Sequence, residues 1–311
     1  MAGKGLLKCF VILLMASSAS APPLMAQDTA VRLGQAGYLE VPGVNVLVFS
    51  NWYDGLFADS KISGVEIIQQ DQRIATNGDV RLSATPGQWD PIGRLVERKV
   101  DTQTGAIEAR LEYPDAGFSY IIRAVPQGKQ VILTVELPQA LPAALAGRAG
   151  FNLEFLPSAY FHQSYLVDGH AGGFPLYPSS AMVRTAERNA ASGRSDGPGA
   201  EPLPMASGND FVLAPSDAAR RVHVRSETPI ALYDGRNQAQ NGWFVLRSML
   251  PAGKTGVVLQ WTLEASAVPG WLRTPSIGHS QLGYAPDQRK VATIEIDRKD
   301  TRRLQTQLLR I

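Results

Sequence analysis

The sequence is poor in cysteine and in charge, and each shortage excludes a class of protein. Cys9 is the only cysteine among 311 residues, so no disulfide framework holds this chain together. Charged residues make up 19% of the chain and hydrophobic residues 44%, which is typical of a globular protein rather than a disordered one. Without Lys4 and Lys8, 28 basic residues balance 28 acidic ones. This balance gives no electrostatic reason to expect nucleic acid or an anionic membrane surface as a partner.

Several motifs are also missing. No apolar run after the N-terminus is long enough to span a bilayer, so the sequence predicts no membrane span. No glycine-rich loop follows a strand and opens a helix, and no Gly-x-Ser-x-Gly elbow is present. His162 and His170 are too few and too far apart in the pattern for a mononuclear zinc site. We therefore expect neither a cofactor nor a metal.

The N-terminus is typical of a secretory leader. Lys4 and Lys8 supply a positive start, and residues 9–16 form an apolar stretch too short to cross a membrane. A small-residue cleavage site ends at Ala26. The pattern predicts a signal peptide at residues 1–26 and export to the periplasm or the extracellular space.

The rest of the chain consists of strand-like segments separated by turn residues. The predicted strands include residues 44–49, 65–68, 107–111, 118–122, 131–137, 222–224, 230–232, 243–247 and 257–263. Asn77-Gly78 and Pro114-Asp115-Ala116-Gly117 predict turns, because glycine accepts a positive φ. This density of strands predicts an all-β protein, with a large antiparallel two-sheet sandwich at residues 28–265. The predicted sandwich is similar to the galactose-mutarotase supersandwich.

Three stretches interrupt this pattern. Residues 138–150 are rich in alanine and proline and predict a loop with one helical turn. Residues 185–204 are small and polar, which predicts a surface excursion. Residues 266–275 contain two prolines and predict a linker to a second unit at residues 276–311.

That second unit opens with a recognisable signature. Ser280 to Pro286 reads Ser-Gln-Leu-Gly-Tyr-Ala-Pro and is followed by Lys290-Val291-Ala292. The signature residues are Gln281, Gly283, Tyr284 and Pro286. The segment resembles the start of the immunoglobulin-like domain that precedes the catalytic barrel in family 9 glycoside hydrolases, the cellulases and their relatives. Longer phrases, such as residues 151–161 and 232–248, resemble the N-terminal extension of some bacterial members.

The resemblance implies a function that this chain carries only in part. An immunoglobulin-like sandwich needs about 100 residues, so residues 276–311 are expected to form an incomplete one. Family members hydrolyse β-linked glucan with a carboxylic acid and a carboxylate base, the base lying in an Asp-Ala-Gly-Asp motif. Here Asp115-Ala116-Gly117 is followed by Phe118, within a predicted turn. We therefore assign no catalytic residue and expect the catalytic domain to be a partner missing from this chain.

Two other functions stay open at this point. A carbohydrate-binding or scaffold module would contact sugar through aromatic rings and carboxylates, for which the candidates are Trp52, Tyr53, Trp89 and Asp90. The alternative is that these rings cap the core. A sugar epimerase would use a histidine acid, His162 or His170, with Asp168 between them in sequence.

Overall fold

The computed structural model describes residues 30–54, 60–62, 64–86, 91–178, 181–184, 200–237 and 242–301. The predicted signal peptide lies outside these residues. The strands are β1 (Arg32–Leu33), β2 (Leu39–Val41), β3 (Val44–Val48), β4 (Trp52–Asp54), β5 (Ser60–Ile62), β6 (Val65–Gln69), β7 (Gln72–Arg81), β8 (Arg94–Val100), β9 (Ile107–Tyr113), β10 (Phe118–Gln127), β11 (Gln130–Leu137), β12 (Gly150–Phe155), β13 (Ser164–Val167), β14 (His170–Gly173), β15 (Met182–Arg184), β16 (Ala200–Pro202), β17 (Ala206–Leu213), β18 (Val222–Asp234), β19 (Phe244–Met249), β20 (Gly256–Ala265), β21 (Ser276–His279) and β22 (Ala292–Glu295).

Helices are short in the described residues. One four-residue α-helix is present, α1 (Pro157–Tyr160). Single 3₁₀ turns occupy Pro114–Ala116, Ala143–Leu145 and Gly235–Asn237. The turn at Ala143–Leu145 confirms the helical turn predicted within residues 138–150. Within the ranges given above, no helix is both long and apolar enough to cross a membrane.

Most strands belong to one large antiparallel sheet that curls onto itself. Its order is β1-β2-β3-β6-β7-β12-β19-β18-β20-β11-β10-β9-β8, and β13, β14 and β17 join it beside β18. The two halves of the curled sheet form the two layers of a sandwich, and their apolar faces share a single core. The predicted all-β antiparallel sandwich is therefore confirmed.

Strand β18 belongs to both layers. Its residues 222–226 pair with β20, whereas residues 231–234 pair with β19. Pro229 lies between these two ladders. Proline has no N–H to donate, so a long strand tolerates it where the pairing partner changes. The sequence predicted two separate strands, 222–224 and 230–232, which the structure joins into one.

Trp261 on β20 packs at the crossing point, the part of the core where β18 changes its pairing partner from β20 to β19. Its fully buried ring contacts Phe151 of the opposite layer edge to face, with centroids 5.0 Å apart. Its Nε1–H donates to Ser248 Oγ at 3.0 Å, and that hydroxyl donates to the Pro229 carbonyl at 3.0 Å. The core thus joins β12, β18, β19 and β20 through one aromatic side chain.

The structure corrects one predicted turn. Asn77-Gly78 was expected to end a hairpin, but both residues lie inside β7. The reversal occurs instead at Gln70-Asp71, where φ angles of 45° and 62° build a two-residue hairpin loop. Asn77, at φ 54°, sits in an irregularity of the ladder between β7 and its neighbours. The left-handed backbone that Asn and Gly tolerate serves here as a bulge.

The turn predicted at Pro114 to Gly117 is confirmed. Pro114–Ala116 forms a 3₁₀ turn between β9 and β10, and Gly117 ends it at φ 58°. Asp115 is therefore an exposed turn residue in a tight hairpin connection. Asp115 thus lies in the turn that the sequence predicts for it.

Substitution of Trp261 by alanine should destabilise the sandwich by about 3–5 kcal/mol, because it opens a cavity at the crossing point and removes the donor to Ser248. Val257→Ala on the same strand is the control, since Val257 is 59% exposed and should change stability by less than about 0.5 kcal/mol. Urea denaturation measures both. Equal effects would contradict the role assigned to Trp261.

Candidate functional site

The predicted sugar contacts lie on two segments of the chain. Trp52 and Tyr53 belong to β4, which pairs with β5 in a short hairpin. Trp89 and Asp90 lie outside the described residues. Residues that flank both segments bond to a set of buried and half-buried polar residues, which we call the polar cluster. Its members are Glu66, Thr76, Asp79, Arg81, Asn152, Glu154 and Arg247, from β6, β7, β12 and β19.

Glu66 is the most deeply buried acid of the polar cluster. Its side chain is 0% exposed and accepts hydrogen bonds from Thr76 Oγ1 at 2.9 Å and Asn51 Nδ2 at 3.0 Å. Arg73 Nε lies 3.0 Å from the same carboxylate. These groups provide the compensation that a buried charge requires. Because Asn51 immediately precedes β4, Glu66 also fixes the start of the hairpin that carries Trp52.

Asp79 has the most perturbed carboxyl group among the described residues with resolved values. Its Oδ1 accepts hydrogen bonds from the Tyr120 hydroxyl and the Val80 amide, both at 2.8 Å. Burial raises the pKa of Asp79 to about 6, although nearby Arg81 and the Tyr120 hydrogen bond act to lower it. Burial alone would lower the pKa of Arg81, but the carboxylates of Glu154 and Asp79 raise it.

Arg247 is the most deeply buried basic residue of the polar cluster. It is 1% exposed, and its Nη1 donates to Asn152 Oδ1 at 2.7 Å. Its Nη2 donates to the backbone carbonyls of Ser83 and Arg148. Gly150 leaves the space for this side chain, since a Cβ there would lie 2.9 Å from Arg247 Nε. The guanidinium therefore joins two strands to two loops.

The polar cluster anchors both ends of the segment that carries Trp89. The Ser83 carbonyl is held by Arg247, as described above. On the other side, the Pro91 carbonyl accepts a hydrogen bond from the Tyr113 hydroxyl at 3.1 Å. The Gly93 amide bonds to the Asp79 carboxyl group. Only glycine fits there, because a Cβ on Gly93 would lie 2.1 Å from the Tyr120 hydroxyl oxygen.

The chemistry of the polar cluster is that of a positioning network. Glu66 and Asp79 each accept more than one hydrogen bond from protein donors, and Glu154 accepts one from Asn77 at 2.8 Å. Inverting glycoside hydrolysis needs two carboxyl groups that face the substrate with room for a water between them. Hydrogen-bonded acids of this kind, of which Glu66 and Asp79 are buried and Glu154 is half-buried, instead hold neighbouring segments in place.

Sequence analysis did not identify the polar cluster. A signal was present, since Glu66 and Arg247 are single charged residues inside otherwise apolar strands. A charge in that position is buried only when it has partners. The partners come from distant parts of the chain, such as Ser83 for Arg247, so the pattern of one strand could not identify them.

The histidines proposed for an epimerase lie at opposite ends of one hairpin. His162 precedes β13, and His170 begins β14 opposite Val167. At the rise of a strand, five residues separate the two side chains by roughly 15 Å. Both are exposed. Asp168 accepts hydrogen bonds from the amides of Asn209 and Asp210, so its carboxylate shapes a turn rather than facing either histidine.

The C-terminal signature forms a self-bonded loop between β21 and β22. Its residues are Gln281, Gly283 (φ 80°), Tyr284 and Pro286. The Tyr284 hydroxyl donates to the Val291 carbonyl and accepts from the Ser280 amide at 3.2 Å. Lys290 Nζ donates to the Pro286 carbonyl at 2.6 Å. Tyrosine thereby ties the two ends of the loop to each other.

The β21–β22 hairpin has an exposed apolar surface. All eight of its strand residues are exposed. Exposed large apolar residues in this region are Ile277, Leu282, Val291, Ile294 and Ile296. The hairpin contributes no residue to the core of the sandwich. Leu304, Leu308 and Ile311, which share the predicted alternation, lie outside the described residues.

Comparison with known proteins leaves the family open. No protein-family model matches the chain, and no curated protein matches it. Among solved structures, the chain is similar to the Slr1438 protein from Synechocystis sp. PCC 6803, with 11% sequence identity and a TM-score of 0.30. The match covers 72% of this chain and 93% of that chain. At such a TM-score the likeness supports no conclusion about this chain. The resemblance to family 9 glycoside hydrolases stays a prediction.

Asp79→Asn should change how stability depends on pH. The pKa of Asp79 is about 6 in the folded state, against an ordinary value of 3.8. The protonated carboxyl group therefore contributes stability that is lost as the pH rises from about 4 to 6. Asparagine does not ionise, so between pH 4 and pH 7 the variant should gain about 2 kcal/mol relative to the wild type. Asp115→Asn in the exposed turn is the control, and a pH-independent difference for Asp79→Asn would refute the assignment.

Limited trypsin digestion should cut the β21–β22 loop before the sandwich. Arg289 and Lys290 are exposed on a two-stranded hairpin, which is a marginal structure in water. Lys129 is the comparison, because it is equally accessible but lies in the tight turn between β10 and β11. Mass spectrometry identifies the first cut. Cleavage after Lys129 at the same rate would show that the hairpin is as stable as the sandwich.

Proposed function

We propose that this chain is the non-catalytic N-terminal portion of an exported glycoside hydrolase that acts on β-glucan. In this proposal the large sandwich supports a catalytic domain that the chain does not contain. The signature at Gln281 to Pro286 is the observation that carries the proposal. Export follows from the predicted signal peptide, residues 1–26.

The form of the signature loop supports this function. Tyr284 gives the Gly-Tyr-x-Pro string a structural role, because its hydroxyl joins Ser280 to Val291. The apolar residues of β21 and β22 are exposed in a pattern that suits further strands. These features fit the first hairpin of a larger sandwich.

The hydrogen bonding of the acids in the polar cluster supports a non-catalytic role for the large sandwich. Glu66, Asp79 and Glu154 are each engaged by protein hydrogen-bond donors. An acid or base of a hydrolase must instead be free to reach the glycosidic oxygen or a water. The polar cluster is better suited to hold the segments on which the aromatic residues lie.

A carbohydrate-binding module is the second candidate, and one observation favours it. The polar cluster bonds to residues that flank both candidate segments: Asn51 precedes β4, and Ser83 and Gly93 lie on either side of position 89. Flanking backbone that is ordered before binding lowers the entropic cost of binding. Tryptophan at positions 52 and 89 is a residue type that can stack on the apolar faces of sugar rings.

Hydrolysis and binding assays separate the two candidates. The purified chain should release no reducing sugar from a soluble β-glucan under either proposal. If the chain acts as a binding module, its migration in affinity electrophoresis should be retarded by that glucan. Trp52→Ala or Trp89→Ala should weaken the retardation and raise the Kd about tenfold.

Tyr177→Ala is the matched control for these variants. Tyr177 is an aromatic residue that is 76% exposed on a different loop, so its removal should leave the retardation unchanged. Release of reducing sugar that persists through further purification would contradict the non-catalytic proposal. Retardation that none of the aromatic changes affects would remove Trp52 and Trp89 as the binding surface.

A further inference from the structure

A cleft separates the sandwich from the segment that leads to the C-terminal hairpin. Its volume is about 560 Å³, within the range of small-molecule sites. One wall consists of the turn between β2 and β3 together with Asp71, and the other consists of Trp271, Arg273 and residues 296–299. Ligand sites form preferentially where two units of a protein meet.

Trp271 provides an aromatic platform in this cleft. Its six-membered ring packs on Gly43, where a Cβ would lie 3.1 Å from Trp271 Cε3. Gly43 has φ 80° and follows Pro42, which gives the turn a rigid and narrow backbone. The tryptophan is therefore fixed from one side while it remains partly exposed on the cleft.

Gln70 adds an unusual feature behind this platform. Both polar atoms of its amide are buried and have no hydrogen-bond partner among the described residues. Its Nε2 would lie 3.2 Å from a Cβ on Gly43, the residue on which Trp271 packs. A buried amide without partners costs free energy that the fold would normally avoid. Gln70 is not among the residues that line the cleft, so its amide belongs to the packing around Gly43 and does not contact a ligand there.

Arg273 links the two walls of the cleft. Its Nε lies 3.0 Å from Asp71 Oδ2 on the sandwich, and its Nη2 lies 3.5 Å from Glu295 on β22. Its backbone amide also donates to Asp297 Oδ2 at 3.0 Å. A single residue of the connector thus contacts both walls, although each of its ion pairs is partly exposed and contributes little by itself.

The charges of the lining favour a neutral ligand. Four basic residues, Arg32, Arg273, Arg298 and Lys299, are accompanied by three acidic ones, Glu40, Asp71 and Asp297. An anion would meet the carboxylates, and a cation would meet the guanidinium groups. Sugar hydroxyls both donate and accept, so they match such a mixed lining, to which Asn45 adds an amide.

We propose that this cleft is an oligosaccharide subsite in which one sugar ring stacks on Trp271. Its position is separate from Trp52 and Trp89 and does not depend on them. The choice of β-glucan as the ligand rests on the function proposed above, whereas the location rests on the cleft itself. The sugar would bind between the two units, and its affinity would depend on their relative position.

Indole NMR of the intact chain locates the bound sugar directly. The chain has five tryptophans, so a ¹⁵N-labelled sample gives at most five indole N–H signals. The signals of Trp271, Trp52 and Trp89 are assigned by their loss in the corresponding Trp→Phe variants. Cellohexaose is then added up to about 10 mM, which is sufficient to detect a millimolar Kd. We expect the Trp271 signal to shift in a saturable manner.

The other outcomes separate this inference from the proposed function. Shifts of Trp52 or Trp89 without Trp271 would overturn the subsite and support the sugar surface on the hairpin side. No shift of any indole would overturn the subsite and the binding-module alternative, while the non-catalytic portion of a hydrolase would stand. Trp261, in the core, is the internal control and should not respond.

Two variants of Trp271 test its contact with the sugar by calorimetry, which does not rely on a single NMR signal. Trp271→Ala should weaken cellohexaose about tenfold by calorimetry, and Trp271→Tyr should retain most of the affinity because it keeps an aromatic face. Asn45→Ala leaves the Arg273 contacts intact and should weaken binding less. Affinity unchanged in Trp271→Ala would overturn the proposal, as would equal losses in its alanine and tyrosine variants.

Discussion

The fold depends on the passage of one strand, β18, from one layer of the sandwich to the other. A sheet that curls closed must bring distant strands into contact, and here the first half of β18 pairs with β20 while the second half pairs with β19. The crossing point is filled by Trp261 and completed by two hydrogen bonds through Ser248. Pro229 lies between these two ladders, where its missing backbone donor breaks no bond of either one. The two apolar faces can then share a continuous core.

Burial of charge is the second constraint, and it determines where the loops lie. A carboxylate such as Glu66 or Asp79 can be buried only with donors around it, and a guanidinium such as Arg247 only with acceptors. The sheet supplies some of these partners, but the rest come from the segments next to Trp52 and Trp89. The same bonds that compensate the buried charges therefore also hold the backbone at Asn51 and Ser83, next to the segments that carry the candidate sugar contacts.

The sequence predicted what local patterns control. Alternation identified strands such as Val131 to Leu137, because one face of the strand packs on the core and the other does not. It failed at Asn77-Gly78, since a left-handed pair suits a bulge as well as a turn, and the distinction depends on the neighbouring strand. The polar cluster was missed for the same reason: Arg247 meets Ser83 across 164 positions of the chain. The sugar-contact residues were chosen by residue type alone, which identifies chemistry but not location.

The C-terminal segment shows how the two units could act together. An isolated hairpin of four-residue strands has little stability of its own, so contacts with the sandwich must set its position. Arg273 makes these contacts at Asp71 and Glu295, in the wall of the cleft that holds Trp271. Both pairs are partly exposed and therefore individually weak. A ligand between the walls would add interactions with each of them, and by linkage it would stabilise the arrangement to which it binds.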